Sequence, residues 1–301
     1  MNHNQAQGDL AARIEQLLIY PVKSCAGVAL PEVLLTDTGL DLDRAWMVVD
    51  ADGEFVTQRE APRLALVQPQ LKTDHLVLRA PGMLALHIAI DRVEQPLTVR
   101  VWDDLVPAYD LGALAGQWIT DFLAQPHLGD ARPPVGPCRL VRFDPAHRRL
   151  SGLKWTGGLE APNQFSDGFP LLVLSQASLD GLNQRLAAGG QAPVPMARFR
   201  PNIVLSGLQA HDEDRLAWLH LATDSGLVRL KLVKPCPRCP IPNIDPATAL
   251  SHPAVGDALQ GYRQDARVGG AVTFGMNAIV CEGDGVVLRL GHVLQGDLDF
   301  A

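Results

Sequence analysis

The sequence predicts a strand-rich α+β protein of two domains with a β-barrel or sandwich at its core. Three observations predict it. Short apolar stretches with alternating polarity recur at close spacing, separated by Gly and Pro, as in barrels and sandwiches. Apolar residues make up 47% of the 301 and charged residues 20%, which is enough to bury a sizeable core. An aperiodic stretch rich in proline, Gln125 to Pro137, interrupts the pattern and reads as a linker.

The first strand is expected over Arg13 to Val22, followed by Lys23-Ser24-Cys25-Ala26-Gly27 and a second strand near Val28 to Leu35. Ala45 to Val49, the turn Asp50-Ala51-Asp52-Gly53 and Glu54 to Thr57 form a hairpin signal. Further strands are expected at Ala65 to Val67, His75 to Leu78, Leu84 to Ile90 and Leu97 to Trp102. Leu111, Leu114, Ala115, Trp118 and Phe122 recur at spacings of three and four, which predicts a helix over 111–124. Cys138 to Phe143 is strand-like, and 151–168 reads as a loop. Leu171 to Leu174 reads as a buried strand. Ser175 then caps a helix carrying Leu179, Leu182 and Leu186, stopped at Gly189-Gly190. Strands resume at Ile203 to Leu205, Leu227 to Val233, Ala271 to Val280 and Val286 to Leu290.

Composition excludes several classes. A net charge of −7 argues against non-specific nucleic-acid binding. His211-Asp-Glu-Asp214 reads as a solvated corner. Met1 to Asp9 is polar and lacks the features of a signal peptide. No apolar run approaches the ~20 residues of a membrane helix. Cysteines at 25, 138, 236, 239 and 281 are odd in number and scattered, which points to a reducing compartment, the cytoplasm.

The stretch Lys234 to Pro246 holds two of those cysteines and four prolines between 235 and 242. Proline fixes φ and removes donors, so the segment is expected to be neither helix nor central strand but a stiff loop. Cys236-Pro-Arg-Cys239 has four readings. A thioredoxin-type pair needs a helix N-terminus, against which Pro240 and Pro242 argue. Structural zinc needs further ligand pairs, and the histidines show no such spacing. Both thiols can be apolar filler. A single thiolate can bind a soft-accepting transition metal, with Arg238 lowering its pKa or binding an anion.

Other cations suit an anionic ligand. Lys23-Ser24 offers an ammonium, a hydroxyl and backbone N–H groups for a phosphate, or is an ordinary strand-to-turn lysine. Arg198 and Arg200 lie two apart and on an extended chain share a face, pointing either to an anion or to the acids at 211–214. Arg44 follows Asp43, a salt bridge by the plainer reading. Asp103 and Asp104 read as solvent-facing. No serine has the nucleophile-elbow context, and no dinucleotide, Walker or iron–sulfur pattern is present.

Five stretches together resemble one family: Leu18 to Gly27, Gly39 to Asp50, Phe165-Ser-Asp-Gly-Phe-Pro170, Arg198 to Ile203 and Cys236 to Cys239. They look like the MOSC family, named for molybdenum cofactor sulfurase C-terminal domains, and within it like the amidoxime-reducing components. The resemblance implies an N-terminal MOSC β-barrel domain over 1–128 and the MOSC β-barrel over 129–301. It implies a molybdenum cofactor, a phosphorylated pterin dithiolene holding molybdenum (Mo-molybdopterin). In the family the cysteine after the motif arginine binds the metal; here that is Cys239, the implied catalytic residue. Lys23, Ser24, Arg44, Arg198, Arg200, Asn202 and Arg238 are the implied cofactor contacts, with Ser175 a weaker transfer. Pro240 and Pro242 depart from the apolar and hydroxylated residues usual after the ligand, which puts the shape of the substrate mouth in question.

The implied activity is molybdenum-dependent reduction of N-hydroxylated or N-oxide compounds. Electrons would come from a separate ferredoxin-like protein, or from a cytochrome b5-like protein with a flavin reductase. The rival expectations are a carrier of sulfur or of the cofactor acting through Cys239, and a non-catalytic cofactor-binding module.

Overall fold

The computed structural model describes residues 8–126 and 135–299. Met1 to Gln7, which dominate the signal-peptide reading, and the expected domain boundary at 128/129 lie outside the described residues. In chain order, the elements that position the site are β1 (Leu10–Ile19), β2 (Trp46–Val49), β3 (Gln95–Val101), β4 (Asp104–Asp110), α1 (Ala113–Ala124) and β5 (Arg139–Phe143). They continue with the short helical turn α2 (Leu153–Thr156), β6 (Leu171–Ser175), α3 (Gln176–Ala188), β7 (Ile203–Ser206) and β8 (Leu216–Thr223). The last are β9 (Gly226–Pro237), α4 (Ala254–Gln260), β10 (Ala271–Glu282) and β11 (Val293–Leu298).

Seven strands close into a barrel in the order β6-β7-β1-β11-β8-β9-β10, with β10 returning to β6. All of these pairings are antiparallel except β6–β7, whose crossover is α3. The fold is therefore the strand-rich α+β class expected, with a second β-rich unit beside the barrel. That unit contains the sheet β2-β5-β4-β3, a three-stranded meander (Gln68–Leu71, His75–Arg79, Leu86–Ala89) and α1. The chain crosses between the two units more than once. β1 lies in the barrel although it precedes the second unit in sequence, and β5 lies beside β2 although it follows α1.

Strand periodicity explains the burial. In β1, Ala12, Ile14 and Leu17 point into the barrel interior with Leu205, Leu219, Leu230 and Leu294. β2 reads as an unbroken apolar run because both its faces are covered. Trp46 and Val48 enter a core with Leu76, Ile119 and Phe122, while Met47 and Val49 enter another with Val99 and Phe165. α3 is capped as expected, with Ser175 Oγ accepting from the Ser178 N–H at 3.1 Å.

Three local expectations fail. Ala65 to Val67, expected as a strand, falls at the end of a 3₁₀ turn, Pro62–Leu66, which opens on Pro62 with its preset φ, and the strand begins only at Gln68. β9 runs on through Lys234-Pro-Cys-Pro237 instead of ending at Val233. Its register shifts between Leu232 and Lys234 and again between Pro235 and Pro237. Beyond Lys231 the strand has passed the end of its pairing with β8, so the prolines sit at bulges on a half-paired overhang where a missing donor costs little. The 211–214 corner is not solvated. Glu213 is 0% exposed and accepts from Ser175 N–H and Ser178 Oγ, and Asp214 pairs with Arg263 at 2.5 Å. Burial raises the Glu213 carboxyl pKa.

His211 belongs to the same cluster. Burial, with help from Arg263 and Arg185, lowers its imidazole to about 4 from an ordinary value of 6.5. Between those values the unfolded chain binds the proton and the folded chain does not, so stability falls as the pH drops through this window. His211→Asn, which tolerates the left-handed φ of 68° there, is expected to lose less stability than wild type between pH 6.5 and pH 4. Urea midpoints at several pH values read the difference, and parallel curves would refute it.

Candidate functional site

The structure gathers the sequence motifs at one end of the barrel. Around a cleft stand the exit of β1, the entry of β2, the 165–170 loop before β6, the turn before β7 and the overhang of β9. Lys23, Ser24, Arg44, Arg200, Asn202, Arg238 and Cys239 all line it. Gly39 helps to hold two of these segments together. Its φ is +108°, and a Cβ there would stand 2.7 Å from the Pro170 carbonyl oxygen.

Lys23 is 6% exposed, and its Nζ donates to Phe165 O at 2.7 Å and to Asp167 Oδ1 at 2.5 Å. Burial lowers its pKa against the pull of Asp167. The Asp167 side chain is 64% exposed, and Lys23, with Arg59 and Arg44, holds its carboxyl well below the usual carboxylate range, so it stays ionised. The Lys23 N–H is committed to Trp46 O and the Cys25 N–H to Val22 O, so the expected run of free backbone donors is largely used up.

Arg44 and Arg200 form a stack around Tyr20. Their guanidinium carbons sit 4.4 Å and 4.2 Å from the centre of its ring. Arg44 donates to Asp43 Oδ2, Asn202 Oδ1 and Arg200 O. Arg200 Nη1 donates to Cys25 O at 2.6 Å, and burial lowers its pKa to about 10. Burial likewise pushes the Tyr20 phenol up to about 12, and its hydroxyl has no partner. Ser24, Arg44 and Arg200 have φ of 68°, 51° and 59°, a left-handed geometry that costs side-chain-bearing residues about 1–3 kcal/mol each.

Arg238 spans the far wall. Nη1 donates to Cys236 Sγ at 3.1 Å and Nη2 to Phe199 O at 3.0 Å, while the buried Nε has no partner. Cys236 and Cys239 are both free and half-buried. The motif arginine thus reaches back to Cys236, leaving Cys239 on the lining without a bond to it.

Three implied contacts serve the scaffold. Asn202 is 1% exposed; it donates to Leu18 O and accepts from the Leu172 N–H, tying β1 to β6. Ser175 caps α3 and is not on the cleft lining. Arg198 is also absent from the lining. It ends a 3₁₀ turn, Met196–Arg198, and Arg200 adopts a positive φ, so the extended geometry expected to put both arginines on one face does not form. Arg198 instead donates to Pro242 O and Asn243 O and pairs with Asp245, bracing the chain after Cys239.

Sequence reasoning missed the roles of Asp167, Thr57, Arg59 and Asn277, all on the lining. Asp167 lies inside the Phe165 to Pro170 motif, so its position was flagged but not its pairing. Arg59 stacks on Trp102 at 4.6 Å, a contact between segments that no local pattern signals. Altogether five cations (Lys23, Arg44, Arg59, Arg200, Arg238) line the cleft against one carboxylate, Asp167. In a chain of net charge −7, that is a local excess of positive charge.

Two family profiles match the chain: the MOSC N-terminal beta barrel domain over residues 11–126 and the MOSC domain over residues 160–297. The chain belongs to the MOSC family. Among MOSC proteins it is 37% identical over 261 residues to human mitochondrial amidoxime-reducing component 1, covering 83% of this chain and 72% of that one. The mouse counterpart is 36% identical over 246 residues, covering 79% and 67%. Bovine molybdenum cofactor sulfurase is 27% identical over 275 residues, covering 85% of this chain but 30% of the sulfurase. These relatives correct the cytoplasmic expectation: the amidoxime-reducing components are named mitochondrial proteins. Unpaired cysteines indicate a reducing environment without saying which one. Among the described residues no helix is long and apolar enough to cross a membrane.

Proposed function

We propose that this MOSC protein is a molybdenum-cofactor-dependent oxidoreductase that reduces N-hydroxylated or N-oxide compounds with electrons from a separate carrier protein. The observation that carries the reading is the cleft itself, where five cations and a half-buried cysteine, Cys239, converge. The likeness to amidoxime-reducing components supports an enzymatic, redox-active role of MOSC type.

The residues fit the group. Among the described residues no three His, Cys, Asp or Glu side chains come together to enclose a metal. One thiolate beside a cationic cleft suits a metal whose other ligands arrive with an anionic organic carrier. Arg238 Nε, buried without a partner, is a donor that such a ligand would satisfy. Lys23, Arg44 and Arg200 would hold its phosphate, and Cys239 would ligate the metal. Arg198 and Asn202 would hold the walls, and Ser175 takes no part. When bound, the cofactor supplies two-electron oxygen-atom chemistry. For a hydroxylamine the reaction balances as R–NHOH + 2 e⁻ + 2 H⁺ → R–NH₂ + H₂O. Because the sequence carries no flavin, nicotinamide or iron–sulfur pattern, both electrons must come from outside the chain.

Protein made in a host that synthesises the cofactor is expected to contain molybdenum near one per chain and to release a fluorescent pterin on acid oxidation. Zinc alone, with no pterin, would overturn the reading. Bound molybdenum with a cyanide-labile sulfur and no reductase activity would favour a sulfur carrier.

A further inference from the structure

Outside the cleft, on the outer face of β9 and the adjoining turn α2, four cations rest on two indole rings. Arg229 and Lys231 lie 4.7 Å and 5.6 Å from the ring of Trp218. Lys154 and Lys234 lie 5.9 Å and 5.1 Å from the ring of Trp155. The two groups adjoin. Trp218 stands opposite Lys231 in the β8–β9 ladder, and the Lys231 Nζ approaches Gly157, two residues after Trp155. Leu153, 52% exposed, extends the face.

The exposed arginines 148, 215, 267 and 289 each form ion pairs with carboxylates. Among the described residues, none of Lys154, Arg229, Lys231 and Lys234 does, and Glu282, opposite Arg229 in the ladder, lies outside ion-pair distance. Among the described residues Lys72, Arg79 and Arg185 also lack an ion pair, but only this face gathers four such cations over two indole rings. Unneutralised cations over half-exposed tryptophans have the composition of a protein-binding face. The face also reaches the cleft. Lys234 lies 5.9 Å from the ring of Phe169, which lines it, and two residues before Cys236, which also lines it.

We propose that this face docks an acidic one-electron carrier protein, two molecules of which dock in succession and each deliver one of the two electrons per turnover at the mouth of the cleft. The proposal rests on the reductase reading for its purpose, but its charge argument is independent. A chain of net charge −7 repels an acidic partner over most of its surface, and this basic strip gives the encounter one productive orientation. A transient, salt-sensitive complex follows.

The test uses reduced plant-type ferredoxin, a small acidic carrier, with the loaded protein and the Lys154→Glu/Lys231→Glu variant; both substitutions lie off the cleft lining. Two readouts run in parallel: ferredoxin affinity by titration, and turnover driven by ferredoxin or by a small artificial donor. Expected are an affinity and a ferredoxin-driven rate about tenfold or more lower in the variant, at the lower end of electrostatic steering effects. Wild-type binding should fall with added salt, and artificial-donor turnover and thermal midpoint should not change. Lys72→Glu/Arg79→Glu, an equal charge change on the meander, should keep most of the affinity. Equal loss in both variants means that net charge rather than this face acts, and overturns the proposal. So does wild-type affinity that is absent or indifferent to salt. Loss only of binding to phosphatidylserine–phosphatidylcholine vesicles would make the face a membrane contact and also overturn it. Absent artificial-donor turnover in wild type would instead overturn the reductase reading, while the titration still reads the face.

Discussion

Cys239→Ala is expected to abolish reductase activity per bound molybdenum, whereas Cys236→Ala keeps activity within about tenfold of wild type. The two thiols have different surroundings. Cys236 lies near the end of the β9 overhang, accepts from Arg238 and donates a long bond to Pro237 O, so its loss removes one ordinary hydrogen bond of about 0.5–1.5 kcal/mol and a weak one. Cys239 follows the arginine, lines the cleft and has no bond to it. Because Cys239 is the proposed metal ligand, its loss should exceed the ~10–100-fold that removal of an outer partner costs. Cofactor content should fall less than activity in Cys239→Ala, because Lys23, Arg44 and Arg200 remain. The measurement is turnover with an artificial donor, normalised to molybdenum. Equal losses in both variants would instead indicate a dithiol pair, in which attacking and resolving sulfurs work as one unit.

The local signals in the sequence were sound where one element decides its own structure. The Ala45 to Thr57 hairpin, the 111–124 helix and the Ser175 cap depend on turn chemistry and period, and each formed. The strand expected at Ala65 to Val67 failed for a local reason, the Pro62 turn that precedes it. The other misses have a common cause. β9 passes through its prolines because β8 has stopped pairing with it by then, a fact about a neighbouring strand. Glu213 is buried because α3 and the end of β6 cover it, although its local composition is that of a surface corner. Arg198 and Arg200 diverge because a 3₁₀ turn and a positive φ replace the extended chain that would align them.

The candidate site was legible as residue types but not as contacts. Lys23, Arg44, Arg200, Arg238 and Cys239 could be named from five motifs, yet no pattern announces that two guanidiniums lie within 4.4 Å of the Tyr20 ring centre or that Asp167 pairs with Lys23. Left-handed φ at Ser24, Arg44 and Arg200 was invisible for the same reason: none is a glycine, so nothing in the sequence marks the strain. Such strain persists where the surrounding structure over-determines it, and here all three residues line the cationic cleft.

Arg200→Met is expected to lower cofactor retention roughly 10–150-fold while leaving the thermal midpoint of the cofactor-free protein unchanged or higher. The affinity loss corresponds to one charge-assisted contact of about 1.5–3 kcal/mol. The stability argument has the opposite sign. Burial holds the Arg200 guanidinium down to about 10, and among the described residues no carboxylate forms an ion pair with it. A half-buried guanidinium without an ion pair, eased only by the more distant Asp43 charge, costs the empty fold desolvation, so an apolar side chain of similar length should relieve that cost while giving up the bond to Cys25 O. Arg200→Lys should not restore retention, because an ammonium cannot both stack flat on Tyr20 and reach the Cys25 carbonyl. Tyr20→Phe, which keeps the ring and removes a phenol hydroxyl that has no partner, should retain the cofactor; Tyr20→Leu should lose it. Molybdenum content after dialysis, set beside the midpoint of each cofactor-free variant, separates the cases. A parallel fall of both in Arg200→Met would make Arg200 a structural residue and remove it from the anion clamp.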